Sequence, residues 1–361
     1  MVTNARVPVL WLCGAPATGK STVAWQVFND LSDQGLRVGY LDIDQIGMLA
    51  PPPDEDPRCH GFKVDNLAGM VRNYRAAGAQ VLVISGVIDP EHGHDFAQAA
   101  VDADITFCHL TLDEPMLRER LAARGWPSAA ADEAVVMMSG LFAAPFVTTV
   151  MDTTGRDPGV LAREAATLVT AAPSTPDTQE LLECSGGEVT IIIGPRGVGK
   201  SSVSWGLAMR RWTSGERTAY VDLDQVGILR PAPSDASLQA ANLGVIWRSA
   251  LSRGANRLIA NGMVTTNEDL AILRHAVRPA PVRALRLAAN PDTLWERIRA
   301  RSAGSEARLI NDDLENAAPE VQRRVHRVAV GQNVEYAAAN LGDDVIDTTN
   351  LCIEEAVEQA K

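Results

Sequence analysis

Lysine, basic charge and long apolar runs are what this 361-residue chain is short of. No run of about 18 apolar residues occurs, so a membrane-spanning helix is not expected. The opening residues, Met1-Val-Thr-Asn-Ala-Arg6, lack the charged-then-apolar layout of a secretory leader. The five cysteines (Cys13, Cys59, Cys108, Cys184, Cys352) are scattered and form no CxxC pair. That argues against a disulfide or zinc framework and suits a reducing, cytoplasmic location. The net charge is −12, and residues 1–170 hold 12 basic against 21 acidic side chains. Such a surface repels polyanions, which disfavours nucleic acid as the main partner. Only four lysines exist: Lys20, Lys63, Lys200 and Lys361.

Two of those four stand in the same local sentence. Gly14-Ala15-Pro16-Ala17-Thr18-Gly19-Lys20-Ser21 and Gly194-Pro195-Arg196-Gly197-Val198-Gly199-Lys200-Ser201 both satisfy G-x-x-x-x-G-K-[ST]. Each follows a short apolar run, Val7 to Cys13 and Val189 to Ile193, and leads into a helix-like stretch. That is the strand–loop–helix setting the motif requires. Without Cβ atoms the loop brings main-chain N–H groups close to a polyphosphate, and the next helix adds its positive dipole end. The nucleotide-binding set is read as residues 14–22, ending in Thr22, and residues 194–202, ending in Ser202. Lys20 and Lys200 are expected to reach the β- and γ-phosphates, and Ser21 and Ser201 to hold Mg²⁺.

The repetition extends beyond these loops. Leu41-Asp42-Ile43-Asp44-Gln45-Ile46-Gly47 recurs as Val221-Asp222-Leu223-Asp224-Gln225-Val226-Gly227, at the same offset of 180 as the loops. Proline-rich stretches follow both. Asn66-Leu67 then pairs with Asn242-Leu243, Ser85-Gly86 with Asn261-Gly262, Arg120 and Arg124 with Arg297 and Arg301, and Asp152-Thr153-Thr154 with Asp347-Thr348-Thr349. Order is kept while the offset drifts, the mark of a duplicated domain rather than a short solenoid unit. The expected division is a first domain at 1–170, a polar, proline-bearing linker at 171–187, and a second domain at 188–361. Extra residues between Arg301 and Asp347 are read as an enlarged lid or an added helix.

Short β-branched runs alternate with helical spacing, so each half is expected to be α/β, a parallel sheet flanked by helices. In such sheets ligands gather at the carboxyl ends of the strands. At a strand end, i and i+2 point the same way. Asp42 and Asp44, like Asp222 and Asp224, are therefore expected to face the phosphates together, one of each pair toward the metal and the other toward an acceptor hydroxyl. Arg118, Arg120 and Arg124 read as one helix, and the pairs Arg120/Arg124 and Arg297/Arg301 as catalytic arginines closing over the transferring phosphate. His60, Lys63 and Asp89 align with Ala236, Gln239 and Thr265, and mark a candidate acceptor site of the first half. His92-Gly93-His94, beside Glu91 and Asp95, reads as a solvated loop.

On these motifs each half resembles a small-molecule kinase of the P-loop superfamily, the group of adenylylsulfate, shikimate and gluconate kinases and chloramphenicol phosphotransferase. The resemblance covers nearly all of each half. It implies ATP and Mg²⁺ as cofactors, Asp42 and Asp222 in the metal shell, Asp44 and Asp224 as acceptor-activating aspartates, and an Asp-Thr-Thr segment near the adenine. Asn66-Leu67 is similar to the acceptor-binding segment of adenylylsulfate kinases, but Gly69 stands where those enzymes carry arginine. The glycine pair of shikimate kinases after the third strand is also absent.

The leading expectation is a phosphotransferase acting on a small hydroxylated acceptor, its halves packed as an intrachain pseudo-dimer, with a homo-oligomer also open. The alternative is a regulatory module that binds or hydrolyses ATP without transferring phosphate. A nucleic-acid kinase fits the charge less well.

Overall fold

The computed structural model describes residues 6–174, 176–177, 186–304, 312 and 314–361. The chain forms two compact units that are not contiguous in sequence. The first comprises residues 1–46, 63–179 and 227–233, and the second 47–62, 180–226 and 234–361.

In chain order the elements of the first half are β1 (Val7–Cys13), α1 (Lys20–Asp33), β2 (Val38–Asp42), β3 (Met48–Ala50), α2 (His60–Ala76), β4 (Val81–Ser85), α3 (Gly93–Ala99), β5 (Ala103–Thr111), α4 (Glu114–Ala123), α5 (Ser128–Ala143), β6 (Val147–Asp152) and α6 (Pro158–Ala166). The second half repeats the series. It runs β7 (Glu188–Ile193), α7 (Lys200–Thr213), β8 (Thr218–Asp222), β9 (Ile228–Arg230), α8 (Ser237–Ser252), β10 (Arg257–Asn261), α9 (Asn267–Ala276), β11 (Val282–Ala288), α10 (Pro291–Ser302), α11 (Pro319–Ala338), β12 (Asp344–Asp347) and α12 (Ile353–Gln359).

The first unit's sheet has the order β6-β5-β1-β4-β2-β9 and the second unit's β12-β11-β7-β10-β8-β3. Five strands of each are parallel, so both faces are covered and the strands are near-continuous apolar runs. All of β4 is buried, as is β1 apart from Pro8. Each strand order turns at the strand that feeds the glycine loop: β1 lies between β4 and β5, and β7 between β10 and β11. Such a switch point opens a crevice beyond the carboxyl ends.

The expectation of wholly parallel sheets is corrected at one edge. Each sheet is mixed, and its sixth strand comes from the other half of the sequence. β9 pairs antiparallel with β2, with Gly39 opposite Leu229, and β3 pairs antiparallel with β8, with Leu49 opposite Ala219. Side chains secure both strands. In the first unit the Arg230 guanidinium lies 4.8 Å from the Phe28 ring centre and donates to Asn29 Oδ1 at 2.6 Å. In the second, Arg217 Nε donates to the Pro51 carbonyl at 2.8 Å and Arg253 sits over the Phe62 ring. At three residues, each strand is too short for periodicity to reveal it, and the prolines that follow read as loop.

The start of the linker is pinned to the first unit, with Ala172 N donating to Gln80 O at 3.1 Å and Asp177 N to Ala76 O at 2.8 Å. Residues 175 and 178–185, including Cys184, lie outside the described residues. The extra length of the second half lies in the connection from Ser302 to Pro319 and in α11, which has 20 residues against 16 in α5. Residues 305–311 and 313 of that connection lie outside the described residues. Among the described residues, no helix is long and apolar enough to cross a membrane.

The exchange yields a crossed stability prediction. Leu49 is 5% exposed on β3, so Leu49→Ala should destabilise the second unit by about 2 kcal/mol, the low end for a buried leucine at an edge. Hydrogen exchange should speed up in residues 218–222 and stay unchanged in residues 38–42. Acceleration in the first unit instead would contradict the pairing.

Candidate functional site

β1 and β7 deliver the two glycine loops in the same conformation. Gly14 has φ 148° and Gly194 φ 147°, and a Cβ there would meet the carbonyl oxygens of Leu110 and Leu287 at 2.5 and 2.6 Å. Only glycine lets the chain leave the sheet this way. Gly19 and Gly199 then open α1 and α7 in the left-handed region, leaving the helix N-termini directed at the loop. Within the first loop Lys20 Nζ donates to Ala15 O at 2.7 Å, and Thr18 Oγ1 to the same oxygen at 2.9 Å. In the second, Lys200 Nζ donates to Gly194 O and Pro195 O at 3.0 and 3.2 Å. Burial pushes the Lys20 ammonium down to about 8, against the opposing pull of Asp44 and Asp42. Lys200 is lowered for the same reason.

The Asp-x-Asp residues flank these lysines, though not in the strand register expected. Asp42 ends β2, whereas Asp44 lies in the following turn, its N–H donating to Asp42 Oδ1 at 2.9 Å. Asp222 and Asp224 repeat this at 2.9 Å. Burial, then the charge of Asp44, raises Asp42 to about 6, and Asp222 is raised by burial and Asp224. Asp44 also meets Lys63 of α2 at 2.8 Å. This brings one proposed acceptor-site residue to the aspartate read as acceptor-activating. His60 belongs to the chain segment of the second unit, while Lys63 and Asp89 belong to the first. The loop at His92 opens α3, with both imidazoles beside Asp95.

The strand ends beside the aspartates differ between units. Ser85 Oγ lies 2.8 Å from the Tyr40 hydroxyl and donates to Asp42 Oδ2 at 3.3 Å. In the second unit, Asn261 Nδ2 donates to Asp222 Oδ2 at 2.9 Å and reaches Ser201 Oγ at 3.4 Å. Asn261 Oδ1 accepts from Ser204 at 2.9 Å. This buried amide joins the two residues read as metal ligands. The polar break at the end of the apolar run 257–260 was its signal in the sequence.

Several motif residues hold the loop through its main chain. Thr153 Oγ1 spans Thr18 O and Thr111 O at 3.2 and 2.8 Å, and Thr348 Oγ1 spans Val198 O and Ala288 O at 3.4 and 3.1 Å. Asp152 and Asp347 each accept from the N–H and hydroxyl of the threonine two residues on. Arg120 donates to Ala17 O at 3.2 Å, and Arg297 to Val198 O at 2.9 Å as well as to Thr348. The structure thus puts these two arginines against loop carbonyls. Arg124 lies beyond the last turn of α4 as its cap, and Arg118 pairs with Glu114 and Asp132 at the surface. Arg301, on α10, pairs with Asp312 at 2.7 Å. Asn66 and Asn242 are wholly buried and donate to the Ile46 and Val226 carbonyls just past the aspartates, so they brace main chain.

The second unit has an open cleft of about 680 Å³, lined by Lys200, Ser201, Asp222, Asp224, Arg297 and Arg301 among others. That volume suits a nucleotide-sized ligand. Ser201 and Ser21, with the adjacent carboxylates, form the all-oxygen donor set that Mg²⁺ prefers.

A family model described as an AAA domain matches residues 9–144, which include the first glycine loop. That match lies within the first half of the chain and spans less than half of the 361 residues. Solved structures similar to it each cover about half of the chain. They include a sugar kinase from Janibacter sp. HTCC2649 (18% identity, 45% of this chain and 93% of that one, TM-score 0.32). A tunicamycin resistance protein from Deinococcus radiodurans is 19% identical over 47% of this chain and all of that one, with TM-score 0.36. A shikimate kinase from Bacteroides thetaiotaomicron is 13% identical over 48% and 95%, with TM-score 0.31. Comparison with curated proteins finds no match.

One buried group beneath the first loop was missed by the sequence reading. His109 pairs with Cys13 across β5 and β1, is fully buried, and has no hydrogen-bond partner on either ring nitrogen among the described residues. Burial, helped by Lys20, lowers it from 6.5 to about 4. The folded state therefore resists a proton that the unfolded chain accepts below pH 6.5. The protein should lose about 3 kcal/mol of stability from this group as the pH falls from 6.5 to 4. The difference between wild-type and His109→Leu denaturation midpoints across that range measures it; a pH-independent difference would refute it.

Proposed function

We propose that the chain is an ATP- and Mg²⁺-dependent phosphotransferase acting on a hydroxyl of a small molecule, with two nucleotide sites. The observation that carries this reading is a buried loop lysine under the influence of two carboxylates in different surroundings, Asp42 at the end of β2 and Asp44 in the turn that follows. Asp42, half-buried and tied to Ser85, suits the metal shell with Ser21. Asp44, exposed and paired with Lys63, suits an acceptor that approaches from solvent. Bound Mg²⁺ supplies charge neutralisation at the phosphates. Lys20 holds the phosphate oxygens, Asp44 orients the acceptor hydroxyl and takes its proton, and Arg120 fixes the loop through Ala17. In the second unit Lys200, Ser201, Asp222 and Asp224 occupy the same roles.

A second reading applies to the second unit alone. Asp224 Oδ1 accepts from the Met263 N–H at 2.9 Å, and Gln239 stands where Lys63 does. This favours a unit that binds nucleotide and regulates, without an acceptor of its own.

Calorimetry with Mg²⁺ and a non-hydrolysable ATP analogue should find two sites, one lost in Lys20→Ala and the other in Lys200→Ala; no binding would end the nucleotide reading. Asp44→Asn should lower acceptor-dependent turnover by about 10²- to 10⁴-fold, the usual worth of a general base. Unchanged turnover would remove Asp44 from that role. Acceptors that speed ATP consumption in Lys200→Ala but not in Lys20→Ala would support the regulatory reading of the second unit.

A further inference from the structure

Two buried positions set the corner read as metal-binding in the second unit apart from its counterpart in the first. Asn261 stands where the first unit has Ser85, and Ser204 where it has Ala24. Asn261 is 1% exposed and Ser204 is wholly buried, so neither change is surface drift. The two side chains touch, with Ser204 Oγ donating to Asn261 Oδ1 at 2.9 Å. With its oxygen held, the amide turns its nitrogen the other way, to Asp222 Oδ2 at 2.9 Å and Ser201 Oγ at 3.4 Å. An ionised carboxylate offers only lone pairs, so the amide atom that faces it is the donor.

Those two oxygens belong to the residues read as metal ligands. The amide nitrogen carries two hydrogens, one for each. Asp222 Oδ1 accepts from the Asp224 N–H at 2.9 Å, so both oxygens of that carboxylate already have a donor. The first unit is built differently. Ser85 brings a single hydroxyl to Asp42 Oδ2, at the longer distance of 3.3 Å, and Ala24 has no polar side-chain atom to orient a larger group. A hydroxyl can also turn its proton aside and present a lone pair, which an amide nitrogen cannot.

Resting on the nucleotide reading above, we propose that Asn261, fixed by Ser204, takes over part of the cation's work in the second unit. Its amide hydrogens satisfy the oxygens of Asp222 and Ser201, so that nucleotide binds there with less help from Mg²⁺ than in the first unit. No bond is made or broken. A dication at those oxygens competes with a hydrogen bond to a carboxylate and meets the positive ends of two N–H groups.

The test uses the full chain with Lys20→Ala, so that only the second site is read. Calorimetry gives the affinity for the non-hydrolysable ATP analogue with excess Mg²⁺ and with EDTA, and the readout is the ratio of the two. Asn261→Ser, which installs the first unit's residue, should raise that ratio about tenfold over the parent, the lower end of what a hydrogen bond to a charged group is worth. Ser204→Ala, which frees the amide, should raise it in the same direction, and it decides the matter if Asn261→Ser melts below the parent. An unchanged ratio overturns the proposal, including the case in which binding weakens equally with and without Mg²⁺, the mark of a merely structural role. A ratio that falls also overturns it and makes Asn261 a metal ligand through its oxygen. In each of these the parent still binds and the nucleotide reading stands. A parent that binds no analogue under either condition overturns both.

Discussion

A cation withdrawn from water and held by main-chain carbonyls is the constraint on which both sites depend. Lys20 leans on Ala15 O and Lys200 on Gly194 O and Pro195 O, with the aspartates as the nearest opposing charges. Burial acts on both signs at once: the ammonium is driven down and the strand-end carboxylate up, each toward neutrality. A phosphate chain would give the lysine an anion and a divalent ion would give the carboxylate a cation, each favouring the charged form that burial disfavours. The glycine-only departure from the sheet and the helix dipole behind it exist to place that lysine.

The second requirement is that the loop keep its shape around that buried charge. The threonine ties recur at equivalent positions: Thr153 and Thr348 join the loop to the neighbouring strand. The arginine contacts differ by one residue: Arg120 donates to Ala17 O, whereas Arg297 donates to Val198 O and to Thr348.

The glycine spacing, the apolar runs before it and the repetition were legible because each is local. Val7 to Cys13 is read off the sequence as a strand and is one. What escaped depends on distant partners. Met48 to Ala50 and Ile228 to Arg230 are three-residue strands whose partners, β8 and β2, come from the other half of the sequence. Asp44 was placed by strand alternation carried two residues past the strand's end, where a turn takes over. Asn66 belongs, by resemblance, to an acceptor-binding segment; its full burial and its bond to the Ile46 carbonyl depend on tertiary packing that the sequence does not display. The Arg196–Asp312 contact joins residues 116 apart, beyond any periodicity.

The duplication itself separates scaffold from specificity. Superposed by their own register, the units agree at the loop clamps, the bracing asparagines and the tyrosines Tyr40 and Tyr220. They differ at Ser85 and Asn261, Lys63 and Gln239, Pro16 and Arg196, and at His109 and Arg286, which pair with equivalent residues Cys13 and Ile193. Each difference in that second group adjoins the loop or the aspartates, whereas the threonine ties and the bracing asparagines recur in both units. What keeps the loop in shape is thus repeated, and what surrounds the loop lysine and the aspartates is not.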